Sequence, residues 1–318
     1  MKFLVIGDVH LADRGPRSRT LNYRSLIEDK LRFCIDLAND EKVDAVLQLG
    51  DFFHIKTPNR NSHAMVQEAA KILARANCPV IINPGNHCLT NNRIESIPSQ
   101  PLGTLGLHPN IEILIGPHAN FPIWGQPYFD LSTDNYKYWL DRYHADSGPE
   151  VYPILMAHNS IFPEKEIPPY DNVSAEVWAE TFKAPYTFYG HIHEPMDAGW
   201  NYQIGGTHFL NNGSISRGSL AERNLVRKPQ VTIFDDSKHG NPFTSVEVPH
   251  LPASEVFFLA ESILAKEQQA SVDEFLSTLE DGELSYLTTE SILEDARNRK
   301  NLTKDALAIL EDIVETVA

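Results

Sequence analysis

Five short polar motifs, each following an apolar run, carry the residues able to do chemistry: Gly7-Asp8-Val9-His10, Gly50-Asp51-Phe52-Phe53-His54, Pro84-Gly85-Asn86-His87, Ala157-His158-Asn159 and Gly190-His191-Ile192-His193. Asp8, His10, Asp51, Asn86, His158, His191 and His193 together offer oxygen and imidazole donors without sulfur. Such a set suits manganese, iron or zinc in a two-ion site, and its oxygen content favours manganese or iron. One carboxylate can bridge the pair. Two divalent cations roughly 3.5–4 Å apart clamp the attacking and leaving oxygens of an in-line displacement at phosphorus and generate hydroxide near neutral pH. Phosphoester hydrolysis is therefore the natural chemistry. Four positive charges against two ligand carboxylates would also draw in a phosphate. Taken singly, each motif also reads as a turn or a satisfied polar pair; only their joint order sets them apart.

The elements around the motifs explain how five distant segments could meet. Lys2–Ile6, Val43–Leu49 and Pro79–Ile82 are near-continuous apolar runs that read as buried strands. Between them Ile27, Leu31, Cys34 and Ala38 recur at helical spacing, and Ser62 is placed to cap a second helix bearing Val66, Ala69 and Leu73. Ile111–Ile115, Val151–Met156, Tyr186–Tyr189 and Gln230–Phe234 add strands, while 135–143 and 174–182 read as helices. This alternation predicts an α/β sandwich of two mixed sheets flanked by helices. Ligands in open α/β sheets bind outside the carboxyl ends of strands, where all five motifs fall. An extended backbone through Asp8-Val9-His10 and His191-Ile192-His193 would point both polar side chains of each motif the same way.

The chain has 318 residues, 42% hydrophobic and 22% charged, which excludes disordered, collagen-like and disulfide-scaffold classes. No apolar stretch approaches the roughly 18 residues of a membrane span, and Phe3–Ile6 is too short for a signal peptide, so a cytoplasmic location is expected. Cys34, Cys78 and Cys88, odd in number and without CxxC spacing, suit a reducing compartment. The net charge of -16 by itself opposes nucleic-acid binding, yet residues 251–318 hold fifteen acids against five bases, leaving the body mildly acidic. Residues 235–242 are polar and turn-rich, either a hairpin loop or a boundary, and strand-like 243–248 follows. Beyond Pro252 the pattern is helical, with a Ser271-x-x-Glu274 capping box and an apolar stripe through Leu307, Leu310, Val314 and Val317. We divide the chain into a catalytic domain, 1–235, and a reduced cap with a mostly helical extension, 236–318.

The ordered set Asp-x-His, Gly-Asp, Gly-Asn-His, His and Gly-His-x-His resembles the calcineurin-like metallophosphoesterase superfamily. Longer matches point to its double-strand-break repair nuclease branch, which includes the bacterial SbcD subunit. Gly50 to Pro58, with the preceding 42–49, is similar to the second motif of those nucleases. Asn212-Gly213-Ser214-Ile215-Ser216-Arg217, followed by 227–231, is similar to the segment that closes their catalytic domain. The resemblance implies one ion held by Asp8, His10, Asp51 and His193, and a second held by Asp51, Asn86, His158 and His191. It implies that His87 steadies the transition state or protonates the leaving oxygen, with His54 near the scissile phosphate. Many members follow Gly-Asn-His with Asp; Cys88 stands there in this chain, a poor orienter of imidazole.

Basic residues follow the motifs: Arg14, Arg17 and Arg19 after the first, Lys56 and Arg60 after the second, Arg93 after the third. Arg14, Arg17, Lys56, Arg60, Arg93 and Arg217 are the candidate substrate-binding residues, positioning DNA through its phosphates without reading sequence. Among the other histidines only His208 lies near a later motif in sequence. The resemblance further implies an SMC-like coiled-coil ATPase as partner and a homodimer, and the amphipathic tail could dock such an ATPase. The function expected is a DNA exonuclease and endonuclease subunit of a repair or recombination complex, using two divalent ions, Mn2+ first and Fe2+ or Zn2+ as alternatives. A small-molecule phosphodiesterase or phosphatase is the enzymatic rival, and an interaction subunit with a vestigial site is the third reading.

Overall fold

The computed structural model describes residues 1–258 except 21, 132, 148–151, 164–171, 195–198 and 239. Fourteen strands are found among the described residues. The first seven are β1 (Lys2–Ile6), β2 (Ala45–Gln48), β3 (Val80–Ile82), β4 (Ile111–Ile113), β5 (Gly116–Pro117), β6 (Ile123–Gln126) and β7 (Ile154–His158). The others are β8 (Ile161–Phe162), β9 (Val173–Ser174), β10 (Tyr186–Gly190), β11 (Asn201–Ile204), β12 (Thr207–Leu210), β13 (Gln230–Asp235) and β14 (Phe243–Glu247). The helices are α1 (Tyr23–Asp40), α2 (His63–Leu73), α3 (Pro101–Leu105), α4 (Thr133–Ser147), α5 (Ala175–Phe182), α6 (Glu222–Val226) and α7 (Ala253–Val256).

Two six-stranded mixed sheets form, ordered β14-β13-β1-β2-β3-β4 and β11-β12-β10-β7-β6-β5, and β8 pairs with β9 separately. β1 to β4 run parallel, as do β12, β10, β7 and β6; the remaining partners in these two sheets are antiparallel edge strands and the β13-β14 hairpin. Strand alternation divides the apolar side chains into layers. Phe3 and Val5 of β1 join Ile154 and Met156 of β7 and Phe188 of β10 in one cluster between the sheets. Leu4 and Ile6 turn to the opposite face, beneath Ile27 and Leu31 of α1 and Met65 and Ala69 of α2. Leu155 and Ala157 turn toward Trp139 of α4 and Trp178 of α5. Ser62 caps α2 by accepting from Met65 N at 3.2 Å, as its position predicted, and Ser174 caps α5 from Val177 N.

The stretch 235–242 is the hairpin connection and not a boundary. β14 hydrogen-bonds along β13 from Phe243 opposite Phe234 to Glu247 opposite Gln230, so the sheet carries the fold past 235. The first compact unit accordingly spans Met1–Val256, and a second spans Phe257–Ala318. The capping box at 271–274 and the stripe at 307–317 fall outside the described residues. Among the described residues no helix is long and apolar enough to cross a membrane.

Because Phe188 is fully buried between the sheets, Phe188→Ala is expected to destabilise the protein by about 3–5 kcal/mol. Leu107→Ala, at a side chain 83% exposed, should stay within about 0.5 kcal/mol of wild type. Denaturant unfolding of both variants checks the contrast; equal losses would mean that the inter-sheet layer is not the stabilising one.

Candidate metal centre

All five motifs emerge from carboxyl ends of parallel strands: Asp8 after β1, Asp51 after β2, Asn86 after β3, His158 at the end of β7, and His191 and His193 after β10. Ligand atoms of Asp8, His10, Asp51 and His193 lie within 4.8 Å of one another, as do those of Asp51, His158 and His191. Asp51 belongs to both groups. Its Oδ2 stands 3.8 Å from His10 Nε2 on one side and 3.4 Å from His158 Nε2 on the other. Asp8 Oδ2 lies 3.1 Å from His193 Nε2 and 3.6 Å from His10 Nε2. Asn86 adds its oxygen at 3.2 Å from His191 Nδ1.

The route to this convergence differs from the extended motifs expected. His10, Asp51 and His191 have φ of 52°, 48° and 84°, in the left-handed region that side-chain-bearing residues avoid. β1 stops at Ile6 and β10 at Gly190, so the chain has left its sheet before His10 and His191. The bends send His191 and His193 into different donor groups instead of along one face. Backbone bonds hold the bends: His10 N donates to Asp51 O at 2.9 Å, and His191 N donates to Asp8 Oδ1 at 3.1 Å. Conformations of this kind cost on the order of 1–3 kcal/mol each and persist where the surroundings over-determine them.

Two glycines make the close packing feasible. A Cβ at Gly50, whose φ is +111°, would lie 2.2 Å from His158 Nδ1, and one at Gly85 would lie 2.3 Å from Asp51 Oδ1. Neither spacing admits a side chain.

Burial alone would raise the Asp8 and Asp51 carboxyls, but the His158 imidazole and the other histidines around them overcome it and hold both well below the carboxylate range. For His158, burial works against the charged form, yet the Asp51 and Asp8 carboxylates prevail and raise its pKa to about 9. His191 is pushed down to about 4 by burial and by His158, and His10 is lowered by burial and by His193. His158 Nδ1 donates to Leu49 O at 2.7 Å, while its buried Nε2 finds no hydrogen-bond partner. That nitrogen, turned toward two buried carboxylates, is what a cation-binding site requires. The donor set fits two divalent ions, one among Asp8, His10, Asp51 and His193 and the other among Asp51, Asn86, His158 and His191.

His87 and His54 stand beside the first group. His10, His54 and His87 have ring nitrogens within 4.8 Å of one another, and the rings of His54 and His87 stack at 5.5 Å. His87 N donates to Asp51 Oδ1 at 2.7 Å, and its Nδ1 donates to the His54 carbonyl. That carbonyl does the orienting for which Cys88 is unsuited: Cys88 is 2% exposed, and burial pushes its thiol to about 12. His54 is driven down to about 4 by burial and by the His10 and His87 imidazoles, so it is neutral at physiological pH.

Arg14, Arg17, Lys56, Arg60 and Arg93 are exposed in the segments that follow their motifs. Arg19 and Arg217 are not: they are 4% and 2% exposed, and Arg19 donates to the carbonyls of Ser216 and Arg217 at 2.9 Å. Arg217 donates in turn to the Leu251 carbonyl, so both guanidinium groups are turned inward to backbone acceptors. His208 lies in the second sheet, stacked on Tyr186 at 5.4 Å, and does not join either donor group. Sequence reasoning overlooked Tyr128, whose ring lies 5.6 Å from that of His191, and the carbonyls of Leu49 and His54. Backbone acceptors leave no residue-type signal.

Two carboxylate-and-imidazole groups sharing one aspartate, at the strand ends of an α/β sandwich, mark the site of a metal-dependent hydrolase. The model of the calcineurin-like phosphoesterases matches residues 1–195, and the chain belongs to that family of metal-dependent phosphoesterases. It is similar to the DNA double-strand break repair protein Mre11 of Saccharolobus solfataricus, 28% identical over 200 residues, or 61% of this chain and 49% of that one. It is also similar to the Mre11 of Sulfurisphaera tokodaii, 24% identical over 218 residues, or 65% and 53% of the two chains. The chain thus spans about half the length of these curated relatives. Among solved structures, the protein TT1561 of Thermus thermophilus shares the fold, with a TM-score of 0.50 and 14% identity over 78% of this chain and 99% of that one.

A metal-ligating imidazole must be neutral, so binding has to expel the proton that His158 holds below about pH 9. Affinity for Mn2+ should therefore rise by up to about tenfold per pH unit between about pH 7 and 9 and level off above. Calorimetric titration of the metal-stripped chain in buffers of different ionisation enthalpy measures both the slope and the proton release. Gly85→Ala should lower Mn2+ affinity by at least about tenfold while leaving far-UV circular dichroism unchanged, because its Cβ displaces Asp51.

Proposed function

We propose that this chain is a DNA nuclease subunit of a double-strand-break repair or recombination complex, hydrolysing phosphodiesters with two divalent ions. Mn2+ fits the mixed oxygen and imidazole donors best, with Fe2+ and Zn2+ as alternatives. The observation that carries the reading is Asp51, shared between the two donor groups, with His87 held directly against it. The likeness to two proteins named for double-strand break repair supports the choice of substrate.

When bound, the two ions supply positive charge at the phosphoryl oxygens and acidify an attacking water. The chain's own groups do the rest. Asp8, His10, Asp51 and His193 hold one ion, and Asp51, Asn86, His158 and His191 hold the other. His87 donates from Nδ1 to the His54 carbonyl, which fixes the ring and leaves Nε2 to protonate the departing oxygen. Neutral His54 packs against that ring and beside the scissile phosphate without competing as an acid. Arg14, Arg17, Lys56, Arg60 and Arg93 contact the DNA backbone and fix its register. An SMC-like coiled-coil ATPase and a second copy of this chain complete the assembly in the cytoplasm, with the amphipathic tail from Ser254 onward as the ATPase-docking segment.

The test compares Mn2+ with Mg2+ on single- and double-stranded DNA, with and without a candidate ATPase. We expect Mn2+-dependent cleavage, and His87→Ala should reduce it by about 10²–10⁴-fold with Mn2+ stoichiometry intact. Turnover of cyclic nucleotides or phosphomonoesters without any DNA cleavage would replace this reading by a small-molecule phosphoesterase.

A further inference from the structure

Outside the two donor groups, four cationic side chains are buried together. Arg19, Lys30, Arg217 and Arg227 are 4%, 6%, 2% and 6% exposed. Carbonyl oxygens take up part of their donor capacity: Lys30 Nζ donates to Ile215 O, and Arg217 Nη2 donates to Leu251 O. Much is left over. Arg217 Nε and both Nη atoms of Arg227 are buried without a hydrogen-bond partner. Among the described residues no carboxylate pairs with Lys30 or Arg217; Asp29, which is nearby, pairs with Arg32 at 2.8 Å, and the Glu194 and Asp8 carboxylates act on Arg227 instead. Burying the Lys30 and Arg217 charges without a counter-charge is expensive, and an anion would offset it.

Three of the four cations line an open groove of about 330 Å3 between α1 and the segment after β14. The rest of its wall is largely apolar, with Leu26 and Phe33 on one side and Pro249 and Leu251 on the other. The volume lies at the lower end for small-ligand sites. Recessed guanidinium and ammonium groups suit a phosphate, and the apolar wall suits a flat uncharged body. Cations recessed this far cannot reach the phosphates of a DNA duplex, which is a wide rod.

We propose that this groove is a binding site for a small phosphomonoester with a flat apolar body, the chemistry of a nucleoside monophosphate. The phosphate sits against Lys30 and Arg217, and the base lies on Phe33 and Leu251. The inference stands on the groove alone and does not depend on the nuclease reading. Burial, with the Arg217, Arg19 and Arg227 charges, lowers Lys30 to about 7, and a bound dianion would restore its proton.

Calorimetric titration of the full chain in EDTA, with 2′-deoxyadenosine 5′-monophosphate as probe, tests this. Stripping the metals leaves the catalytic centre with the Asp8 and Asp51 carboxylates and without the divalent charge that would attract phosphate. One site per chain is expected, binding at least about tenfold more tightly than inorganic phosphate or deoxyadenosine, because only the nucleotide uses both wall and cations. Lys30→Met should weaken binding by at least about tenfold. Phe33→Ala, at a half-buried wall position, should weaken the nucleotide but not inorganic phosphate, and it serves if Lys30→Met fails to fold. Asp51→Asn should leave binding unchanged. No saturable binding, undiminished binding in the wall variant, or loss in Asp51→Asn would overturn the proposal.

Discussion

Burying two carboxylates side by side is the constraint around which the structure is organised. Asp8 and Asp51 are 0% and 1% exposed. An ionised carboxylate leaves water only where other charges or donors replace its hydration. Here backbone N–H groups do part of this, His191 N for Asp8 and His87 N for Asp51, and imidazoles do much of the remainder. Imidazoles are a weak answer, because the arrangement forces a proton onto His158 while suppressing protonation of His191 and His10. Divalent cations held there would supply charge to the carboxylates and leave the ligating imidazoles neutral. The fit of this site to a cation thus follows from burial and charge before any reaction is considered.

The sandwich supplies what this arrangement demands, namely strand ends that cannot drift. Asp8 follows β1 and His191 follows β10, which lie in different sheets, so the distance between them is set by the apolar layer that Phe3, Val5, Phe188 and Met156 fill. Interiors pack near crystal density and transmit displacement, so an inter-sheet cavity would be felt at the ligands. The left-handed residues His10, Asp51 and His191 lie just past those strand ends. A rigid layer beneath and reciprocal backbone bonds above keep them there.

How much of this the sequence revealed follows from where each interaction is encoded. Asp8, Asp51, Asn86, His158, His191 and His193 were legible because buried strands write continuous apolar runs and the polar residue ending each run is conspicuous. The local conformation at His10 and His191 was not, because a left-handed bend at a non-glycine residue is imposed by tertiary bonds. β5, β6, β11 and β12 were missed for a related reason. They are short, β5 contains a proline, and β11 alternates around Asn201, Tyr202 and Gln203 at a half-exposed edge, so none carries an apolar run. Arg19 and Arg217 look like surface bases in sequence; their burial is decided by the carbonyls of Ser216, Arg217 and Leu251.

The cysteine at position 88 shows how such hidden partners alter chemistry. An aspartate there would orient the His87 ring by accepting from one of its nitrogens. In this chain the His54 carbonyl takes over that task, since it accepts from Nδ1 and so fixes the tautomer. The remaining negative charge near His87 is Asp51, whose Oδ1 accepts from the His87 backbone and whose Oδ2 faces the imidazoles of His10 and His158. With Nδ1 committed to the His54 carbonyl, Nε2 is the ring nitrogen left to face a departing oxygen, so the aim of the ring survives without an aspartate at position 88.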